Sequence, residues 1–193
     1  MASQRNLKKL RDQRRQFFLV IYSETDADVS GYYCGGGLDL GLNEKGIEEA
    51  RKLSRRFKKN PLQIKNIYCS PELRAIQMAD FLHDELKGKL ILNRQFADQN
   101  LGIHEGEPAN QSVMATLIAE PKRGETQVEF SFRVRRGLEE FLHEEYLSVL
   151  VTHPRVALIL LSWLGLDGSI LERGKMYVLD LPADQGIAHI REI

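Results

Sequence analysis

The sequence predicts an α/β fold in three layers, a mostly parallel sheet flanked by helices on both faces. Three observations carry that reading. Apolar, β-branched runs such as "FFLVIY" (Phe17 to Tyr22) alternate along the chain with stretches of helical periodicity. The runs are continuously apolar, as in strands buried on both faces. Polar groups stand where three of them end: Tyr22-Ser23, Ser70 with Arg74 just beyond, and Thr152-His153. In open α/β sheets ligands collect beyond the carboxyl ends of the strands. These residues are therefore expected to meet in one pocket.

The elements follow in order. Residues 1–16 read as a basic amino-terminal arm: Arg5, Lys8, Lys9, Arg11, Arg14 and Arg15 stand against Asp12 alone. Leu7, Leu10 and Phe17 fall at helical spacing, so a solvated helix packed on the domain is expected. From residue 17 to 193 a single domain is expected, since the chain is long enough to bury one full core. After the first strand, Asn43 caps the helix "NEKGIEEARKLSRRF", with Ile47, Ala50, Ser54 and Phe57 on one stripe. "IKNIYC" is the second strand. Ser70-Pro71 reads as N-cap and first-turn proline of "PELRAIQMADFLHDEL". Residues 93–124 are irregular and rich in Gly, Pro and Gln, a pocket-side excursion with loops and a short helix. A helix through "FSFRVRRGLEEFLHEE" precedes the strand "LSVLVT". His153 and the helix "VALILLSWLGL" come next, and "KMYVLDL" and "IAHIREI" close the sheet, the last at an edge.

Composition excludes several classes. Hydrophobic residues make up 42% and charged residues 28%, with acids and bases balanced at 27 each. The whole surface is thus no polyanion binder. One basic helix without interleaved aromatics is a poor tether, so nucleic-acid or membrane contact through the arm is not expected. No apolar run is long enough to span a membrane and the arm lacks an h-region; a soluble cytoplasmic protein is the expectation. Cys34 and Cys69 form no CxxC and no cluster at metal-ligand spacing, so no metal and no cofactor is expected. Cys69-Ser-Pro-Glu-Leu-Arg74 is one residue short of a cysteine-phosphatase loop, and its residues start a helix.

In this order and spacing the chain resembles the histidine phosphatase superfamily, the phosphoglycerate mutase-like fold, from Phe17 to about Pro182. Glu24-Thr25 and "LDLGLNEKG" (Leu38 to Gly46) match the first segment. Ser70, Arg74 and Ala75 match Ser-x-x-x-Arg-Ala. Gly102, Glu105 and Gly106 match Gly-x-x-Glu-Gly, and Gly124-Glu125-Thr126 and Thr152-His153-Pro154 match the last two motifs. The resemblance implies a site in which a first-motif His attacks phosphorus, two arginines and a second His hold the phosphoryl oxygens, and a Glu protonates the leaving oxygen.

Carried over by position, that set is broken. The nucleophile corresponds to Tyr22, the first Arg to Ile21, the motif Gly to Ser23, a first-loop Asn to Asp28 and the acid to Asp98. Arg74 and His153 are kept. The expectation is a pseudophosphatase, inactive, with a binding or regulatory role. Tyr22, Asp28, Arg74, Glu105 and His153 would form the ligand-binding remnant. An unidentified protein or a small anionic ligand would be the partner, in an oligomeric state the sequence leaves open. The alternative is a phosphomonoesterase with altered mechanism using His153 and Tyr22, with Asp98 or Glu105 as acid. Tyr22 is expected to fill the space of the missing His with its hydroxyl bonded to a neighbour. Arg74 is expected either to await an anion or to pair with Asp98 or Glu24, and His104 to line the pocket.

Overall fold

Strand β1 (Arg15–Ile21) is buried on both faces because its side chains alternate between two separate cores. Phe18 and Val20 join one cluster, and Phe17, Leu19 and Ile21 join the other. The computed structural model describes residues 15–58, 62–144, 146–181 and 187–193, without the side chains of 111–113 and 116. Residues 1–14 of the basic arm lie outside the described residues; Arg15 and Gln16 belong to β1.

The remaining elements are α1 (Asp26–Ser30), α2 (Glu44–Arg55), β2 (Asn66–Cys69), α3 (Leu73–Leu86), β3 (Lys89–Leu92), α4 (Gln111–Ala119), α5 (Gln127–Leu142), β4 (Ser148–Thr152), α6 (Pro154–Leu164), β5 (Met176–Leu181) and β6 (His189–Glu192). The sheet runs β3-β2-β4-β1-β5-β6. The pairs β1/β4, β2/β4 and β2/β3 are parallel; β5 pairs antiparallel with both β1 and β6. Helices α2 and α3 cover one face through Ala50, Leu53, Ala75, Met78 and Leu82. Helices α5 and α6 cover the other through Phe130, Val134, Leu138, Val156 and Leu160. Three layers result, and β6 lies at an edge.

Register places the site. Ile21 pairs with Thr152, and Cys69 with Val151. The residues that follow, Tyr22, Ser70 and His153, therefore leave the parallel strands at the same end.

Several elements differ from the sequence reading. Strand β3 is absent from it: "KLIL" is only four residues, partly exposed, and follows Lys87, whose left-handed φ of 57° ends α3. Helix α5 starts at Gln127, ahead of Phe130, because Thr126 and Glu129 form a capping box: Thr126 Oγ1 accepts from Glu129 N at 3.2 Å and Glu129 Oε2 from Thr126 N at 2.9 Å. Among the described residues no helix is long and apolar enough to cross a membrane.

Candidate functional site

His153 follows β4 directly and is fully buried, held in place by Pro154 in the first turn of α6. Its Nε2 lies 2.7 Å from Ser70 Oγ and 3.2 Å from Glu72 Oε2. On the other side of the ring Nδ1 lies 3.5 Å from Asp98 Oδ2. The Ser70 hydroxyl is also hydrogen-bonded to the Glu72 carboxylate, whose second oxygen accepts from the Asp98 backbone N–H at 3.0 Å. Burial alone would raise the Glu72 pKa. The hydrogen bonds from His153 and Ser70 and the charges of His153 and Arg74 outweigh it and hold the carboxyl at about 2.

Helix α3 begins at Leu73, not at Pro71, with Glu72 at its N-cap. Glu72 makes no side-chain cap hydrogen bond there, because its carboxylate is turned to Ser70, His153 and Asp98.

Arg74, in the first turn of α3, is fully buried. Its guanidinium donates to Gly35 O at 3.1 Å and Leu38 O at 3.2 Å, and Nη2 lies 3.8 Å from Asp98 Oδ2. The pairing is thus with Asp98. Glu24 instead takes Lys45 at 2.6 Å and Asn43 at 3.0 Å.

The Tyr22 ring closes over this cluster. It meets the His153 ring edge-on at 5.1 Å between centroids, with the Arg74 guanidinium 5.2 Å and the Arg173 guanidinium 4.6 Å from its own centroid. Burial pushes the phenol up to about 12, against the opposing pull of Arg173 and Arg74. Among the described residues the hydroxyl takes no hydrogen-bond partner. The expected bond to a neighbour is thus absent among them, and Tyr22 lines a cavity of about 160 Å³.

The other sequence-predicted positions separate. Ile21 is fully buried in the core beneath α5 and α6. Ser23 is buried with Oγ 3.8 Å from Met78 Sδ. Asp28 reaches the cavity and pairs with Arg173 at 2.7 Å. Glu105 does not face the cavity: it accepts the N–H groups of Gly35 at 2.7 Å and of Gly37 and Leu101 at 2.9 Å. It fastens two loops together, helped by Gly102 and Gly106 at φ 62° and 80°. His104 pairs with Glu107 at 2.8 Å on the same loop and is not part of the cavity wall.

Three site residues escaped the sequence reading: Glu72, Arg155 and Arg173. Glu72 sits inside Ser70–Arg74 and reads as an ordinary first-turn residue. Arg155 lies two positions past His153 in the first turn of α6. Arg173 comes from the turn before β5, where no motif marks it. Among the described residues no group of three or more His, Cys, Asp or Glu is placed to hold a metal.

The profile of the histidine phosphatase superfamily (branch 1) matches residues 18–181. The chain belongs to that superfamily. It is 25% identical over 173 residues to the 2,3-bisphosphoglycerate-dependent phosphoglycerate mutase of Thermoplasma acidophilum, covering 84% of this chain and 86% of that protein. Two solved structures from Thermus thermophilus, the protein TTHB049 and a phosphoglycerate mutase, are each similar with a TM-score of 0.71 at 25% identity. Each covers 93% of this chain and 99% of the other. The fold of this superfamily member thus has counterparts among solved structures.

Chemically the cluster is a buried polar network in which, among the described residues, Arg74 Nε and His153 Nδ1 are left without a hydrogen-bond partner. Ser70 and Asp98 flank the two ring nitrogens of His153 at 2.7 Å and 3.5 Å, a row like a hydrolase triad but without its second hydrogen bond, since Nδ1 has no hydrogen-bond partner among the described residues. Ser70 and His153 have no exposed surface, however, and the Ser70 hydroxyl already serves Glu72. Asp98 stands against Arg74 and Glu72 against His153.

Proposed function

We propose that this superfamily member is a pseudophosphatase, which keeps the fold and uses its site or surface in binding or regulation without transferring phosphate. The observation that supports this most is Tyr22. At the position of the nucleophilic His stands a buried phenol with its proton held to about 12. At pH 7 the phenolate fraction is then on the order of 10⁻⁵. Loss of a covalent nucleophile alone costs roughly a millionfold in a protease. Here Arg74 and His153 are also turned towards Asp98 and Glu72, so the oxygens of a phosphoryl group would compete with carboxylates at 3.8 Å and 3.2 Å.

The alternative route, a phosphomonoesterase through His153 and Tyr22, meets the same geometry. His153 has no exposed surface, and the Tyr22 ring lies between it and the cavity side.

The purified protein is expected to show no phosphomonoesterase turnover above a His153→Ala control on a broad panel of phosphorylated compounds, phosphoglycerates included. Turnover that vanishes in the control would overturn the reading and restore an enzyme working through His153.

A further inference from the structure

The cavity over Tyr22 has a charge layout unlike a phosphoryl cage. At about 160 Å³ it matches in size the cavities, near 150 Å³, that admit one benzene ring. Tyr22, Tyr32, Tyr33, Leu101, Met114 and Ile118 supply its apolar walls. Arg155 and Arg173 also line it, as do the carboxylates of Asp28 and Asp98, and the Arg74 guanidinium lies 5.2 Å from the Tyr22 ring centroid. Two of these cations are already matched, Arg173 by Asp28 at 2.7 Å and Arg74 by Asp98 at 3.8 Å. Arg155 is not: it donates to the neutral Gln127 Oε1 at 2.8 Å and, among the described residues, has no carboxylate in salt-bridge range. Arg173 Nη1 is buried without an acceptor, and an orphaned guanidinium N–H inside a protein asks for an explanation.

One cation in excess of the carboxylates, beside a benzene-sized apolar space, is a poor match for a phosphate dianion, which needs several cations around three oxygens. It is a good match for a single planar charge, because a guanidinium edge takes a carboxylate through paired hydrogen bonds. We propose that this cavity binds a small aromatic monocarboxylate, with its ring against the three tyrosines and its carboxylate on Arg155 and the free Nη1 of Arg173. The proposal rests on the reading above that the site does not process phosphate esters.

An NMR titration of the full chain tests it, with benzoate, phenyl phosphate and inorganic phosphate as probes. Benzoate should saturate a single site, with phenyl phosphate at least about tenfold weaker, since the dianion meets Asp28 and Asp98. Arg155→Gln should weaken benzoate at least about tenfold, the loss of one charge-assisted hydrogen bond. Met114→Trp, which fills the cavity and leaves its charges alone, should abolish binding while inorganic phosphate stays without effect. Phenyl phosphate binding as well as benzoate, an absence of benzoate binding, or benzoate binding indifferent to both variants would each overturn the proposal. A turnover assay on phenyl phosphate separates the two levels. Benzoate failing with no turnover sinks the carboxylate site alone; turnover sinks the pseudophosphatase reading with it.

Discussion

Replacing Arg74 with alanine is expected to destabilise the protein by about 3 to 5 kcal/mol, the usual cost of stripping one partner from a buried ion pair. Equilibrium urea unfolding would show it as a fall in midpoint. The size follows from what the guanidinium holds. It is fully buried and ties Gly35 O and Leu38 O, two points on the loop after α1, to the start of α3. Its removal also leaves Asp98, itself almost wholly buried, facing His153 without a cation. Arg74→Met restores most of the volume but neither donor, so it should recover only the packing part. In a double-mutant cycle with Asp98→Asn the combined loss should fall short of the sum of the single losses. The opposite outcome has a clear meaning. A binding residue held in reserve for an anion is often a stability cost, and deleting it leaves stability unchanged or raised. A loss below about 1 kcal/mol would therefore place Arg74 among ligand-binding groups and count against its structural assignment.

The convergence of Tyr22, Ser70 and His153 was legible because it depends on backbone rules alone. Continuous apolar runs fix parallel strands, and the ends of parallel strands share one edge of the sheet. The cap at Asn43 is equally local, a short side chain three residues before a free N–H; the cap at Thr126 is of the same kind but went unread, and with it the first turn of α5. Strand β3 was missed for the converse reason. Its four residues sit at the edge, partly exposed, and carry too little periodicity to separate from the tail of α3. The chemistry of the site was harder to see. Glu72 looks like a helix-start residue until its carboxylate is found turned away from the helix, and Arg173 enters from a turn whose approach to Tyr22 depends on the antiparallel return of β5 along β1. The strand-end positions could be found by register; Glu72 and Arg173 join them through tertiary packing.

The second large effect is in acid. A carboxyl whose folded pKa lies at about 2, against an ordinary 4.5, binds fewer protons in the native state than in the unfolded one as the pH falls between those values. Its stabilisation is complete above about pH 4.5 and is lost as pH falls towards 2. Carried across that interval, Glu72 contributes on the order of 3 kcal/mol at neutral pH. The wild-type protein is therefore expected to lose stability steeply between those pH values, with Glu72→Gln showing a flatter profile over the same window. Several other acids are also held low, Glu24 by Lys45 and Asn43, Glu129 by Thr126, and Asp167 by Ser169, but all three reach solvent and are unchanged in the variant. Subtracting the two curves removes them. The difference is the part of the acid effect that belongs to Glu72 in its contacts with Ser70 and His153. Parallel curves for the two proteins would mean that Glu72 is bound no more tightly folded than unfolded. The carboxylate would then be free to leave His153, and Glu72 would no longer compete there with a phosphoryl group.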